Sequence, residues 1–110
     1  MINNHRLSVD FARWAAASLF AVTCSLAIAT DDNADAVMEK LASCVACHGA
    51  DGIGKAPQYP NLQGQKSAYL EKQLRAFRSG ELKSPDMNVL AESLSDDDIV
   101  ALAAYFSNQE

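Results

Sequence analysis

Cys44, Cys47 and His48 stand within five residues of one another, in the run Cys44-Val45-Ala46-Cys47-His48. Few chemistries use two thiols three residues apart with an imidazole directly after the second. Cys-x-x-Cys-His is the attachment signature of a c-type haem. At a helix end, two thiols at this spacing reach the two vinyl groups on one side of a porphyrin. The next residue then sets an imidazole against the iron from below. Such thioether bonds fix a cofactor in a chain too small to enclose it by packing alone. Three rival uses fit less well. A structural zinc site takes four protein ligands, and once the N-terminal segment is set aside only these three thiol or imidazole groups remain. A thioredoxin-like redox pair belongs in a βαβ setting. A plain disulfide suits an exported protein but leaves His48 without a role.

The N-terminal segment is residues 1–29, which the pattern assigns to a secretory signal peptide. His5, Arg6 and Arg13 lead, an apolar run from Trp14 to Ala29 follows, and Ala27-Ile28-Ala29 closes it as a small-x-small cleavage triplet. The polar, acidic Thr30-Asp31-Asp32-Asn33 comes directly after. The alternative is a retained anchor, for which the run is short against the roughly 20 apolar residues that span a bilayer. Cys24 falls inside the run, and Ala21 and Thr23 before it make a poor lipoprotein-type site. Cleavage leaves one domain, residues 30–110, and places it in the periplasm. Of the 110 residues, nine are basic and fourteen acidic; removing Arg6, Arg13 and Asp10 with the segment leaves a net charge of −6. That sign argues against nucleic acid as a partner, because a phosphate backbone requires a positive surface. A chain this short lies near the lower limit for an independent core and benefits from a covalent staple.

Three helical patterns position the motif. Over residues 35–47, Val37, Leu41 and Cys44 repeat at i, i+4 and i+7. Acidic Asp31, Asp32 and Asp35 favour the start of that helix, and Gly49 marks its stop. Residues 49–66 carry Gly49, Gly52, Gly54, Gly64, Pro57 and Pro60, and are expected to form a long loop. A loop of that length in a small domain calls for a functional cause, such as wrapping a planar cofactor. A second helix is predicted over residues 67–78, with Leu70, Leu74 and Phe77 inward and Lys72, Gln73, Arg75 and Arg78 outward. Residues 80–94, including Met87, are expected to be irregular, with a short helical turn over Val89 to Glu92 left open. A third helix starts at Ser95, with Asp98 completing a capping box and Ile99, Leu102, Ala103 and Phe106 facing inward. The Asp96-Asp97-Asp98 run is expected to be a solvated helix start. No stretch alternates as a strand does, so the fold class is all-α.

In this order the segments resemble the class I cytochromes c, and in particular the short bacterial monohaem kind similar to the c-four and c-five groups. The resemblance rests on Cys44 to Gly49, on Pro60-Asn61-Leu62-Gln63-Gly64-Gln65, and on Met87 leading into Leu94-Ser95-Asp96-Asp97-Asp98-Ile99. Ala101-Leu102-Ala103-Ala104-Tyr105-Phe106 completes it. It implies a small class I fold, three main helices with loops wrapped around one covalent haem c. It implies His48 and Met87 as the two axial ligands of the iron, a thioether being a known ligand in such proteins. Met38, the other methionine of the mature chain, lies on the first helix next to Val37 and would be held on the proximal side. The family pattern also implies that a proline carbonyl accepts a hydrogen bond from the proximal imidazole. Pro60 matches that role, with Pro57 the alternative, and such a bond would fix the ring and raise its donor strength. One departure is Val37, which stands where related chains carry a glycine that crosses the last helix near Tyr105.

With both axial positions filled, the expected function is one-electron transfer without a small-molecule substrate, and the chain is not expected to be an enzyme. Its partners would be redox proteins, including periplasmic or membrane-bound oxidoreductases. The cluster Lys66, Lys72, Arg75, Arg78 and Lys83 is either a docking feature or an ordinary solvated face. An alternative makes the chain the haem subunit of a larger oxidoreductase, which an apolar surface patch or a co-purifying subunit would favour. A haem enzyme or gas sensor would instead need an open sixth position.

Overall fold

The structure, a computed structural model, describes residues 32–110; the expected signal peptide over residues 1–29 lies outside the described residues. Four helices follow in order: α1 (Asp32–His48), α2 (Ser67–Ser79), α3 (Pro85–Glu92) and α4 (Asp96–Ser107). The described residues contain no strand, and the chain is all-α. No helix among them is long and apolar enough to cross a membrane.

α1 begins with Asp32 and Asp35 in its first turn, where the helix dipole favours negative charge, and ends with His48 in its last. Gly49 follows at φ 81°, and its N–H donates to Val45 O at 3.0 Å. α2 has no side-chain cap at its start and stops at Gly80, whose N–H donates to Phe77 O. α4 opens on the capping box expected from sequence: Ser95 Oγ accepts from Asp98 N–H, and the Asp98 carboxylate accepts from Ser95 N–H.

Two expectations are corrected here. Residues 80–94 are not irregular throughout, because Pro85–Glu92 form a fourth helix. Its start obeys ordinary capping rules: extended Ser84 accepts from Met87 N–H, and Pro85 takes a first-turn position where its missing N–H costs nothing. Nor is the aspartate run wholly solvated. Asp96 and Asp97 are exposed, but Asp98 is 1% exposed and pairs with Lys40 of α1. Periodicity alone placed Asp98 at a helix start and said nothing of the cation that α1 brings over it.

The core is Leu41, Leu70, Ala91, Leu94, Ile99, Leu102, Ala103 and Phe106, with Val37, Cys44, Val45, Leu62, Leu74, Phe77 and Tyr105 packed against it. Each large apolar side chain so buried contributes about 1.5–3 kcal/mol. α2 packs on both α3 and α4, and α1 crosses α4. Val37 sits at the edge of that core rather than outside it, so the valine is accommodated at the crossing. Met38, one residue on, is 61% exposed.

The loop between α1 and α2 folds back on itself. Gly52 O accepts from Leu62 N–H at 2.6 Å and Gln63 N–H at 3.0 Å, while Lys55 N–H returns to Cys47 O at 2.9 Å. At Gly52, with φ 78°, a Cβ would lie 2.6 Å from Gln63 N, so only glycine allows this closure. Gly54 N–H donates to Asn61 Oδ1 at 2.8 Å, which fixes the second half of the loop beside the first.

Candidate haem-attachment site

Cys44 and Cys47 both stand on the last turns of α1, one helical turn apart, where the 3.6-residue repeat sets them on the same side. Neither is in a disulfide, and both are half-buried. Burial pushes the Cys44 thiol up from its usual range, and the nearby Cys47 adds to that push against the opposing effect of a backbone hydrogen bond. The Cys47 thiol lies beside the Tyr59 hydroxyl and pushes that phenol up through hydrogen bonding and charge.

His48 ends α1 and is buried, 7% exposed. Its Nδ1 lies 2.9 Å from Pro60 O. A carbonyl oxygen only accepts, so Nδ1 carries the proton and Nε2 keeps its lone pair for a metal. Two rings hold the imidazole edge-on: Tyr59 at 6.5 Å and 61°, and Phe106 at 6.4 Å and 67°. Tyr105 in turn meets Phe106 edge-on at 5.0 Å, and its hydroxyl donates to Ala50 O at 2.6 Å. The imidazole is therefore clamped by the loop on one side and by α4 on the other.

The structure thus brings His48 and Pro60 together, with Pro57 exposed and not the partner. Met87 stands on another element, in the first turn of α3, half-buried, with its N–H donated to Ser84 Oγ at 3.4 Å. Two unpaired thiols one turn apart and an oriented imidazole whose free nitrogen is a lone-pair donor are the donor set that covalent haem requires. Exposed apolar side chains include Ile53 on the loop, Tyr69 on α2 and Leu90 on α3. The residues fit the group.

The sequence profile of cytochrome c matches residues 32–110, every described residue. The chain belongs to the cytochrome c family. Like other cytochromes c, it binds haem c covalently. It is 51% identical over 75 residues to cytochrome c-554(548) of Halomonas halodenitrificans, an alignment covering 66% of this chain and 90% of that protein. It is 45% identical over 78 residues to cytochrome c4 of Pseudomonas aeruginosa, covering 71% of this chain and 39% of that protein. It is 44% identical over 68 residues to the thiosulfate dehydrogenase electron acceptor of Stutzerimonas stutzeri, covering 59% of this chain and 32% of that protein. The chain therefore matches most of the first relative and only a third to two fifths of the other two.

Sequence reasoning missed several residues around this cytochrome c site. Tyr59 is one: it lies in a proline- and glycine-rich loop, where no periodicity signals which side chain turns inward. Lys40 is another, a cation on the first helix whose partner lies 58 residues away. Asn88 is a third, tying the first turn of α3 to α2 through its side-chain amide, and a polar residue in a stretch read as irregular carries no pattern that marks it out.

Proposed function

We propose that this cytochrome c is an exported one-electron carrier, its haem bound through Cys44 and Cys47 and its iron held between His48 Nε2 and the Met87 thioether. The bound haem supplies a ferric–ferrous couple. The observation that carries the reading is the His48 Nδ1 to Pro60 O contact at 2.9 Å, which sets the tautomer and the ring plane together. With the ring packed edge-on against Tyr59 and Phe106, His48 would keep one geometry in both oxidation states. Little rearrangement on electron transfer is what a carrier requires. A Met87 thioether ligand would favour the ferrous form and raise the potential. Pro60, through its carbonyl, acts in the other direction by strengthening the imidazole as a donor.

Export to the periplasm is supported by the residue pattern over 1–29, with cleavage after Ala29. Two relatives named thiosulfate dehydrogenase electron acceptor support an oxidoreductase as the electron donor, with this chain as acceptor rather than catalyst. That likeness fits the second reading, a haem subunit of a larger oxidoreductase, less well than a separate carrier, because the printed name is that of an acceptor.

Optical spectra of the haem-loaded chain and of Met87→Ala test the ligand set. The ferric protein is expected to show a near-infrared sulfur-to-iron band, and its ferrous form to bind carbon monoxide slowly. Met87→Ala is expected to lose the band and bind carbon monoxide rapidly. A variant unchanged in spectrum and potential overturns Met87 as ligand.

A further inference from the structure

We infer that Asn88 is a positioning residue for the iron's methionine ligand, its side-chain amide locking the turn that carries Met87 onto the end of α2. This rests on the reading of Met87 as the ligand given above. The Asn88 amide makes three hydrogen bonds: Nδ2 donates to Phe77 O at 2.7 Å and to Leu82 O at 2.8 Å, and Oδ1 accepts from Ser84 N–H at 2.8 Å. The assignment of its oxygen and nitrogen is fixed by these partners, since two are carbonyls that only accept and one is an N–H that only donates.

The three partners belong to different parts of the chain. Phe77 O lies at the C-terminal end of α2, where carbonyls run out of helical partners. Leu82 O lies in the connector, whose own N–H returns to Ala76 O at 3.1 Å. Ser84 is the cap of α3, and its Oγ accepts from Met87 N–H. Ser84 O also accepts from Asn88 N–H at 2.9 Å. Asn88 therefore closes a ring of bonds through Ser84 back to the amide of Met87, and ties that ring to two carbonyls outside α3. An eight-residue helix has little stability of its own. Where its first turn sits is set by bonds beyond the helix, and Asn88 supplies two of them, to Phe77 O and Leu82 O, from the residue next to the ligand.

A purely structural asparagine would affect stability alone; a positioning one also sets how readily the thioether yields its place on iron. Ferric, haem-loaded protein is titrated with imidazole, following loss of the sulfur-to-iron band, and its midpoint potential is measured. In Asn88→Ala the half-saturating imidazole concentration is expected to fall by about tenfold or more, with a lower potential, because each lost bond loosens the turn. Ser84→Ala, a milder lesion of the same ring, is expected to shift it by about threefold and decides the matter if Asn88→Ala does not fold. Asp98→Asn, which weakens the fold at the α1–α4 contact, should leave imidazole affinity within about twofold of the parent. Parent-like imidazole affinity in both Asn88→Ala and Ser84→Ala overturns the inference, as does an Asp98→Asn shift as large as that of Asn88→Ala. Met87→Ala separates the two claims. If it keeps the parent spectrum, the ligand reading fails; if it loses the band while Asn88→Ala and Ser84→Ala keep parent-like imidazole affinity, only the role of Asn88 fails.

Discussion

Replacing Asp98 by asparagine separates the charge of a buried carboxylate from its shape. Asp98 Oδ2 accepts from Ser95 N–H at 2.7 Å and is the partner of Lys40 Nζ. Asparagine keeps an oxygen for Ser95 N–H and removes the attraction to Lys40. A hydrogen bond to a charged group contributes about 1.5–3 kcal/mol. The Lys40 side chain is 29% exposed, so a freed ammonium turns to water, and the roughly 3–5 kcal/mol cost of stranding a buried charge is not reached. The expected loss at pH 7 is about 2 kcal/mol, a fall of roughly 10 °C in melting temperature for a domain of this size. The Lys40 ammonium, with help from the Ser95 hydrogen bonds, holds the Asp98 carboxyl below its ordinary range against the opposing effect of burial. With the folded pKa depressed, the folded state binds fewer protons than the unfolded chain in acid. The contribution is then complete above the unfolded value of about 3.9 and is lost as pH falls through the folded one. Guanidinium unfolding of both proteins, followed by far-ultraviolet circular dichroism at pH 7, 5 and 3, is the assay. The gap should be constant from pH 7 to 5 and shrink at pH 3. A gap below about 0.5 kcal/mol at pH 7, or one undiminished at pH 3, would refute the charge argument.

Two further predictions concern the loop that meets His48. A Cβ on Gly54 would lie 2.0 Å from Tyr59 O, so Gly54→Ala must move backbone and should cost about 1–3 kcal/mol, read by thermal melting. Pro60→Gly frees the chain at the carbonyl that accepts from His48, and should weaken that bond and the imidazole's donor strength with it. The midpoint potential is expected to rise by about 20 mV, an effect of under half a kcal/mol, and a redox titration showing a fall would contradict the role given to Pro60.

The elements with strong local signals were legible in the sequence. Val37, Leu41 and Cys44 marked the inner face of α1, Leu70, Leu74 and Phe77 that of α2, and Ser95 with Asp98 gave the start of α4 in full. α3 was not legible, because eight residues provide barely two turns of periodicity and Pro85 argues for a break until its first-turn position is known. The thiols and His48 could be found from spacing alone, since their chemistry fixes their order. What surrounds them could not. Tyr59, Lys40 and Asn88 act through contacts whose partners are set by tertiary folding, and a lone polar or aromatic residue carries no period that reveals its direction.

The Tyr105 hydroxyl bond to Ala50 O and the Lys40–Asp98 pair span 55 and 58 residues, and Phe106 of the last helix backs the His48 ring. Contacts of that reach form late, because closing a long loop costs entropy before any contact repays it. The order of manufacture follows. A chain emerging from its N-terminal side presents Cys44, Cys47 and His48 well before the segment that buries them has arrived. Until the last helix closes, the two thiols and His48 lack the wall that Phe106 provides.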